Sequence, residues 1–212
     1  MHILQFGEGN FLRTFADAYF DARNRAGDTC EVTIVKPIPQ GTLDAFEKQS
    51  CIYHIVLRGR ENGRDTEDVY RITSVRRAID PFSHPEEFFS MASDPDLHVI
   101  VSNTTEAGIC YRDTDVFGAL ADVTYPAKLT EFLYRRYTAG GAGVYILPVE
   151  LIDNNADALY DCVNRYITLW NLPEDFRAWN DRENFYCNTL VDRIVSGYPK
   201  DGETRARLKA LV

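Results

Sequence analysis

No two cysteines in this sequence lie two residues apart. The five present (Cys30, Cys51, Cys110, Cys162 and Cys187) are scattered and odd in number. That pattern suggests neither a zinc site nor a disulfide framework, so the thiols read as reduced and mostly buried. No apolar run approaches the length of a membrane-crossing helix, so no membrane partner is expected. The first residues lack a basic region followed by an apolar one, so no signal peptide is expected either. Positive charge is short: 23 Lys and Arg against 32 Asp and Glu leave a net charge of −9. A nucleic-acid partner held by counterion release is therefore not expected. An anionic small ligand stays open, because local backbone amides bind phosphate whatever the distant charge. The four histidines (His2, His54, His84 and His98) fall in strand-like or loop positions without metal-ligand spacing, so no metal is proposed. Internal repeats and low-complexity linkers are also missing. What is present, 45% hydrophobic and 26% charged residues, is the balance of a globular chain with a sizeable core, read as soluble and cytoplasmic.

The opening residues, MHILQFGEGNFLRTF, hold the strongest local pattern. HILQF at 2–6 is a short apolar run ended by glycines, as a buried parallel strand would be. Phe11, Phe15, Ala18, Tyr19 and Ala22 then recur at helical spacing over 10–25. EVTIVKP at 31–37 reads as a second strand, halted by Pro37 and Pro39. A strand, a glycine turn, a helix and a strand open a doubly wound fold. The dinucleotide fingerprint is GxGxxG, and here Leu12 stands where the third glycine would be. Gly7 can make the tight turn, and Gly9 lets the backbone, with Asn10 and Phe11 behind it, approach phosphate oxygens. The competing reading is a plain structural turn.

The second strand ends in Lys36-Pro37, where an acid would ordinarily accept hydrogen bonds from the adenosine ribose. Lys36 could meet that ribose, or a 2′-phosphate if the cofactor were NADP; a solvated lysine is the alternative. Downstream, a helix near 41–49 precedes two β-rich runs, 52–59 and 67–75, separated by the polar RENGRD, which read as an inserted antiparallel hairpin. Ser83 is a candidate N-cap for a short helix. LHVIVSN (97–103) and VYILPVE (144–150) read as buried strands, and 126–137, 153–170 and 201–211 as helices. Residues 188–199 have the composition of a strand or an extended connector. The expected class is α/β, a Rossmann-like doubly wound, mostly parallel sheet with an inserted β-hairpin.

Two polar clusters follow strands, at the carboxyl edge where open α/β sheets bind ligands. Ser102, Asn103 and Thr104 offer hydroxyls and an amide to a ribose or a nicotinamide carboxamide; alternatively Thr104 or Thr105 with Glu106 starts a helical turn. In PVELIDNNAD, Asn154 or Asn155 could donate to a substrate oxygen that gains negative charge. An N-cap role for Asp153-Asn154 is equally good local chemistry. Asp192 and Arg193 are charges in an apolar run, read either as a structural ion pair or, for Arg193, as a carboxylate-binding group.

The segments FGEGNFLRTF, VSNTTEAGI, ILPVELIDNNADAL and NTLVDRIVSGYP occur in that order and span almost the whole chain. Together they resemble the polyol-specific long-chain dehydrogenases, the family of mannitol 2-dehydrogenase and the hexuronate reductases. Within it the wording is nearest the tagaturonate (altronate) type, with the fructuronate and mannitol types next. The resemblance implies an NAD-dependent, metal-independent enzyme acting on a sugar acid or polyol, with NADP left open by Lys36. It implies a dinucleotide-binding domain over 1–199, and in 200–212 the start of a connection to a helical domain. That second domain carries the catalytic lysine in a Lys-x4-Asn-x2-His pattern. The pattern is not found here: none of Lys36, Lys48, Lys128, Lys200 and Lys209 is followed by the required Asn and His. The resemblance also places Glu150, the Asn154-Asn155 pair and Asp192 near the reacting carbon. Another class is expected as an alternative: a truncated or split member that binds nucleotide or a partner chain without turnover. Such a chain would expose the apolar surface that docks the second domain, and could self-associate there.

Overall fold

The structure, a computed structural model, describes residues 1–105, 107–191 and 193–210. The chain runs β1 (His2–Phe6), α1 (Asn10–Thr14), α2 (Ala16–Arg25), β2 (Glu31–Val35), α3 (Asp44–Lys48), β3 (Tyr53–Glu61), β4 (Arg64–Ile72) and β5 (Val75–Ile79). It continues with α4 (Pro85–Ser90), β6 (Leu97–Ser102), α5 (Tyr125–Thr138), β7 (Tyr145–Pro148), α6 (Asn155–Leu169), α7 (Glu174–Glu183), β8 (Phe185–Tyr186) and α8 (Gly202–Lys209).

Six strands form one sheet in the order β5-β2-β1-β6-β7-β8, and every pairing in it is parallel. Numbered within the sheet alone, this is the 3-2-1-4-5-6 order of a doubly wound dinucleotide-binding fold. Strand periodicity divides the core between the two faces. Ile3, Val99 and Val101 point into a cluster with Leu12, Ala16 and Phe46 from α1, α2 and α3. Leu4, Phe6 and Ile100 point into the other, with Leu129 and Phe132 of α5 and Leu159 and Val163 of α6. Strands buried on both faces explain the continuous apolar runs in the sequence.

The hairpin is present, but its reach differs from the expectation. Of RENGRD only Asn62 and Gly63 form the turn, both at positive φ (51° and 78°), the geometry of a tight two-residue hairpin. β3 and β4 therefore extend to Glu61 and Arg64. The hairpin is bolted to α2 by two buried acids: Asp21 accepts from the Thr73 and Ser74 amides (2.7 and 3.2 Å), and Asp17 accepts from the Tyr53 hydroxyl (2.5 Å).

Further departures have local causes. The helix expected over 10–25 breaks at Phe15, whose φ/ψ of −110°/−78° interrupts the ladder. Ser83 is not the cap of α4; His84 holds that position, with Pro85 opening the helix. Of the two readings of 188–199, its described residues follow the connector and form no strand. β5, α7 and the two-residue β8 were not anticipated, because VRRAI mixes charge into an apolar strand and β8 is too short to show periodicity. α5 packs its carboxyl end through Arg136, fully buried, whose guanidinium donates to the carbonyls of Ala142, Ala92, Asp94 and Leu97 at 2.7–3.1 Å.

Candidate cofactor site

The polarity of the strands brings the ends of β1, β2 and β6 to one edge. Gly7 N–H donates to Val35 O (3.1 Å), and Asn103 N–H donates to Phe6 O (3.1 Å). Since β2 and β6 flank β1 on opposite sides, the crevice beyond these ends is the point where the strand order reverses. A cleft of about 420 Å³ opens there, lined by the Gly7-Glu8-Gly9 turn, Pro37-Ile38, Asn103–Thr105 and the start of α5.

The two glycines do different things. Gly7 has φ +130°, and an added Cβ would stand 3.0 Å from Leu12 Cδ1 and 3.1 Å from the Asn103 carbonyl, so the fold itself requires glycine. Gly9 has φ −67° and ψ 161°, open to any residue, and a Cβ there would meet nothing within 4 Å. The fold itself therefore does not require glycine at this position. Leu12, in place of the third glycine, is buried against Gly7 and fills the helix–strand contact.

A second signal is Thr105, a β-branched residue at φ 74° on the wall of the cleft. Such a conformation costs about 1–3 kcal/mol and is held by its surroundings. Gly108 supports the same loop: a Cβ on it would lie 2.1 Å from the Thr104 hydroxyl. Gly108 N–H donates to Thr105 O (2.9 Å), so a single turn closes at Thr105 without a helix following it among the described residues, and Glu106 lies outside them.

Several expected site residues are engaged elsewhere. Lys36 is buried and turned away from the cleft: its ammonium pairs with Asp80 at 2.8 Å and donates to Gly41 O at 3.0 Å. Asn155 is fully buried; its amide donates to Glu150 O and Thr189 Oγ1 (3.1 and 2.9 Å), while its oxygen accepts from the Thr189 amide (3.0 Å). It locks the 188–199 connector to β7, and no free donor points at a substrate. Glu150, also buried, accepts from Ser102 Oγ (3.2 Å) and from the amide and hydroxyl of Thr104 (2.9 and 3.0 Å). It joins the ends of β6 and β7, and its hydrogen bonds are made to Ser102 and Thr104.

Asn103 and Thr104 line the cleft, with Asn103 steadied by donating to Val149 O (2.8 Å). Asn10 and Phe11 stand behind the turn: Asn10 accepts from Arg13, and Phe11 packs on Phe15 with ring centroids 5.2 Å apart. Asn154 is exposed in the left-handed conformation (φ 52°), and its side chain caps nothing. Asn188 does that instead, accepting from the Ala156 and Asp157 amides (2.8 and 3.2 Å). Arg193 donates to Thr14 O (2.7 Å) over the faces of Phe15 and Tyr19, tying the connector to the break between α1 and α2. Asp192 lies outside the described residues.

Lys128 of α5 was not anticipated. It lines the cleft, and burial pulls its ammonium down to about 8. Its signal in the sequence, a lysine in the first turn of an amphipathic helix, is indistinguishable from a surface lysine.

The family model for the mannitol dehydrogenase Rossmann domain matches residues 1–210. The chain belongs to the mannitol dehydrogenase family. Among its relatives, altronate oxidoreductase of Escherichia coli O7:K1 is 44% identical over 205 residues, 94% of this chain and 42% of that protein. The altronate oxidoreductase of Enterobacter sp. (strain 638) is 44% identical over 208 residues, 95% of this chain and 43% of that protein. The chain thus spans less than half the length of these relatives. Among solved structures, a Pseudomonas fluorescens mannitol 2-dehydrogenase ternary complex with NAD and D-mannitol superposes with a TM-score of 0.78 at 18% identity, covering 100% of this chain and 45% of that one. A substrate-free D-sorbitol dehydrogenase gives 0.78 at 20% identity, covering 99% and 45%. These two likenesses show that the chain shares their fold. Among the described residues, no helix is long and apolar enough to cross a membrane.

Proposed function

We propose that this chain is the cofactor-binding domain of an NAD-dependent hexuronate reductase that interconverts tagaturonate and altronate. The observation that carries the reading is the open Gly9 backbone at the mouth of the switch-point cleft, a space the fold does not need. The altronate oxidoreductase relatives support the substrate class, and the mannitol 2-dehydrogenase complex with NAD and D-mannitol supports the cofactor. The chain's own residues fit that cofactor. The Gly7–Gly9 turn would approach its pyrophosphate, and Asn103, Thr104 and Thr105 would meet its ribose or carboxamide. When bound, the nicotinamide supplies the hydride. Asn154 and Arg193, at the same carboxyl edge, remain proposed contacts for the sugar acid, as does Asp192.

The domain assignment is part of the proposal: 1–199 forms the dinucleotide-binding unit, and 200–212 leads toward a helical domain that supplies the proton donor. Leu190 and Ile194, 91% and 97% exposed on the connector, are surface for such a domain to cover or for self-association. A second reading is nucleotide or partner binding without turnover. Titration with NADH and an assay of NADH oxidation test both. Saturable binding without turnover alone, and turnover of tagaturonate once the remaining portion of the Escherichia coli relative is added, supports the first reading. Binding with no turnover after that addition supports the second; no binding of NADH with or without that portion sinks the first and leaves of the second only partner binding.

A further inference from the structure

We propose that Lys128, from α5, meets the adenosine-ribose end of the nucleotide and lets the cleft accept a 2′-phosphate. The inference rests on the nucleotide-binding reading above. In this fold the ribose hydroxyls are read at the end of the second strand, ordinarily by an acid that also repels a phosphate. Here β2 runs into Lys36-Pro37-Ile38, which has no acid, and Lys36 is held by Asp80 away from the cleft. The group that occupies the place comes from across the crevice. Lys128 Nζ donates to Pro37 O, at the end of β2, at 3.0 Å, and to Val123 O at 2.7 Å.

Two carbonyls fix the ammonium and leave its third N–H without an acceptor among the described residues. No carboxylate of the described residues lies within ion-pair distance of it, although it is buried. A buried charge without a counter-ion is costly, and an anion arriving from the cleft offsets that cost. The cleft's charge points the same way. Its described charged residues are Glu8, Arg112 and Lys128; Arg112 pairs with Asp115 at 3.1 Å, whereas Lys128, though Asp115 and Asp122 favour its charged form from a distance, has no ion-pair partner among the described residues. In a protein of net charge −9 this is a local anion site.

The test is calorimetric titration of the chain with NADH and with NADPH, for the native sequence and for Lys128→Gln, Lys128→Met and Lys36→Gln. The native chain is expected to bind both cofactors with comparable affinity. Lys128→Gln should weaken NADPH roughly ten- to hundredfold relative to NADH, the effect of losing one charge-assisted contact. Lys36→Gln should leave the ratio unchanged. Lys128→Met should reproduce the effect of the glutamine variant and, by removing an unpaired buried charge, keeps the test alive if glutamine fails to fold. A ratio unmoved by either Lys128 variant, a shift produced by Lys36→Gln, or a native chain that binds NADH and rejects NADPH overturns the inference while leaving the nucleotide-binding reading intact. Failure to bind either cofactor overturns both.

Discussion

Replacing Gly9 by aspartate separates a phosphate cradle from a structural turn. The backbone at Gly9 (φ −67°, ψ 161°) suits an N-cap residue, and α1 has no side-chain cap. A new Cβ meets nothing within 4 Å. Aspartate should therefore gain a few tenths of a kcal/mol as a cap, and about 0.4–1 kcal/mol from the reduced freedom of the unfolded chain. For a chain of this size that raises the melting temperature by roughly 1–5 °C. The same carboxylate would face the pyrophosphate. Two like charges about 4 Å apart cost ~1 kcal/mol in water and ~4 kcal/mol near a protein surface, roughly a 5- to 1000-fold loss of NADH affinity. The aspartate would also compete for the amides at the start of α1. Melting by circular dichroism and NADH titration read the two effects separately. Native affinity for NADH in Gly9→Asp would refute the cradle. A melting point lowered by several degrees would refute the claim that the fold leaves the space free. Gly7→Ala is the opposite control: at φ +130° and against Leu12 and the Asn103 carbonyl it should cost ~1–3 kcal/mol of stability.

Three further outcomes are expected. Burial raises Asp17 to about 7, against the pull of its Tyr53 and Gln5 hydrogen bonds, so the folded state holds a proton that the unfolded chain releases near 3.8. Its contribution is complete at low pH and is lost as pH climbs from about 4 through 7. Asp17→Asn should therefore gain on the native protein by roughly 2–4 kcal/mol between pH 4 and pH 8 in paired urea melts, and a constant difference would refute this. Asn155→Ala removes a buried amide bonded on both sides and should destabilise by about 2–4 kcal/mol, whereas an unchanged melt would return Asn155 to the list of free ligand groups. Leu190→Glu with Ile194→Glu should leave the melt within about 0.5 kcal/mol and abolish any concentration-dependent mass in light scattering; persistent association would place the contact elsewhere.

The one-dimensional pattern determined the fold class, because strands buried on both faces must be written as apolar runs, and their glycine and proline stops mark the edges. HILQF, EVTIV and LHVIV all lie in the sheet, and the FGEGN turn falls where β1 meets its helix. No apolar run in the sequence reaches membrane-crossing length. The hairpin was legible as two β-rich runs, but its Asn62-Gly63 turn was obscured by the charges around it. Side-chain commitment was not legible. Asn154 and Asn155 are identical neighbours in sequence, yet one is exposed and the other fully buried, because α6 begins at Asn155 and the left-handed backbone of Asn154 before it (φ 52°) sends the two side chains apart. The placing of Lys36 and Lys128 has a related reason: a partner 44 residues away, Asp80, claims the first, and the crossing of α5 over the end of β2 brings the second, which nothing local singled out, to the cleft. Local chemistry lists the groups a chain can offer; only the tertiary arrangement decides which of them still have a free hydrogen bond at the site.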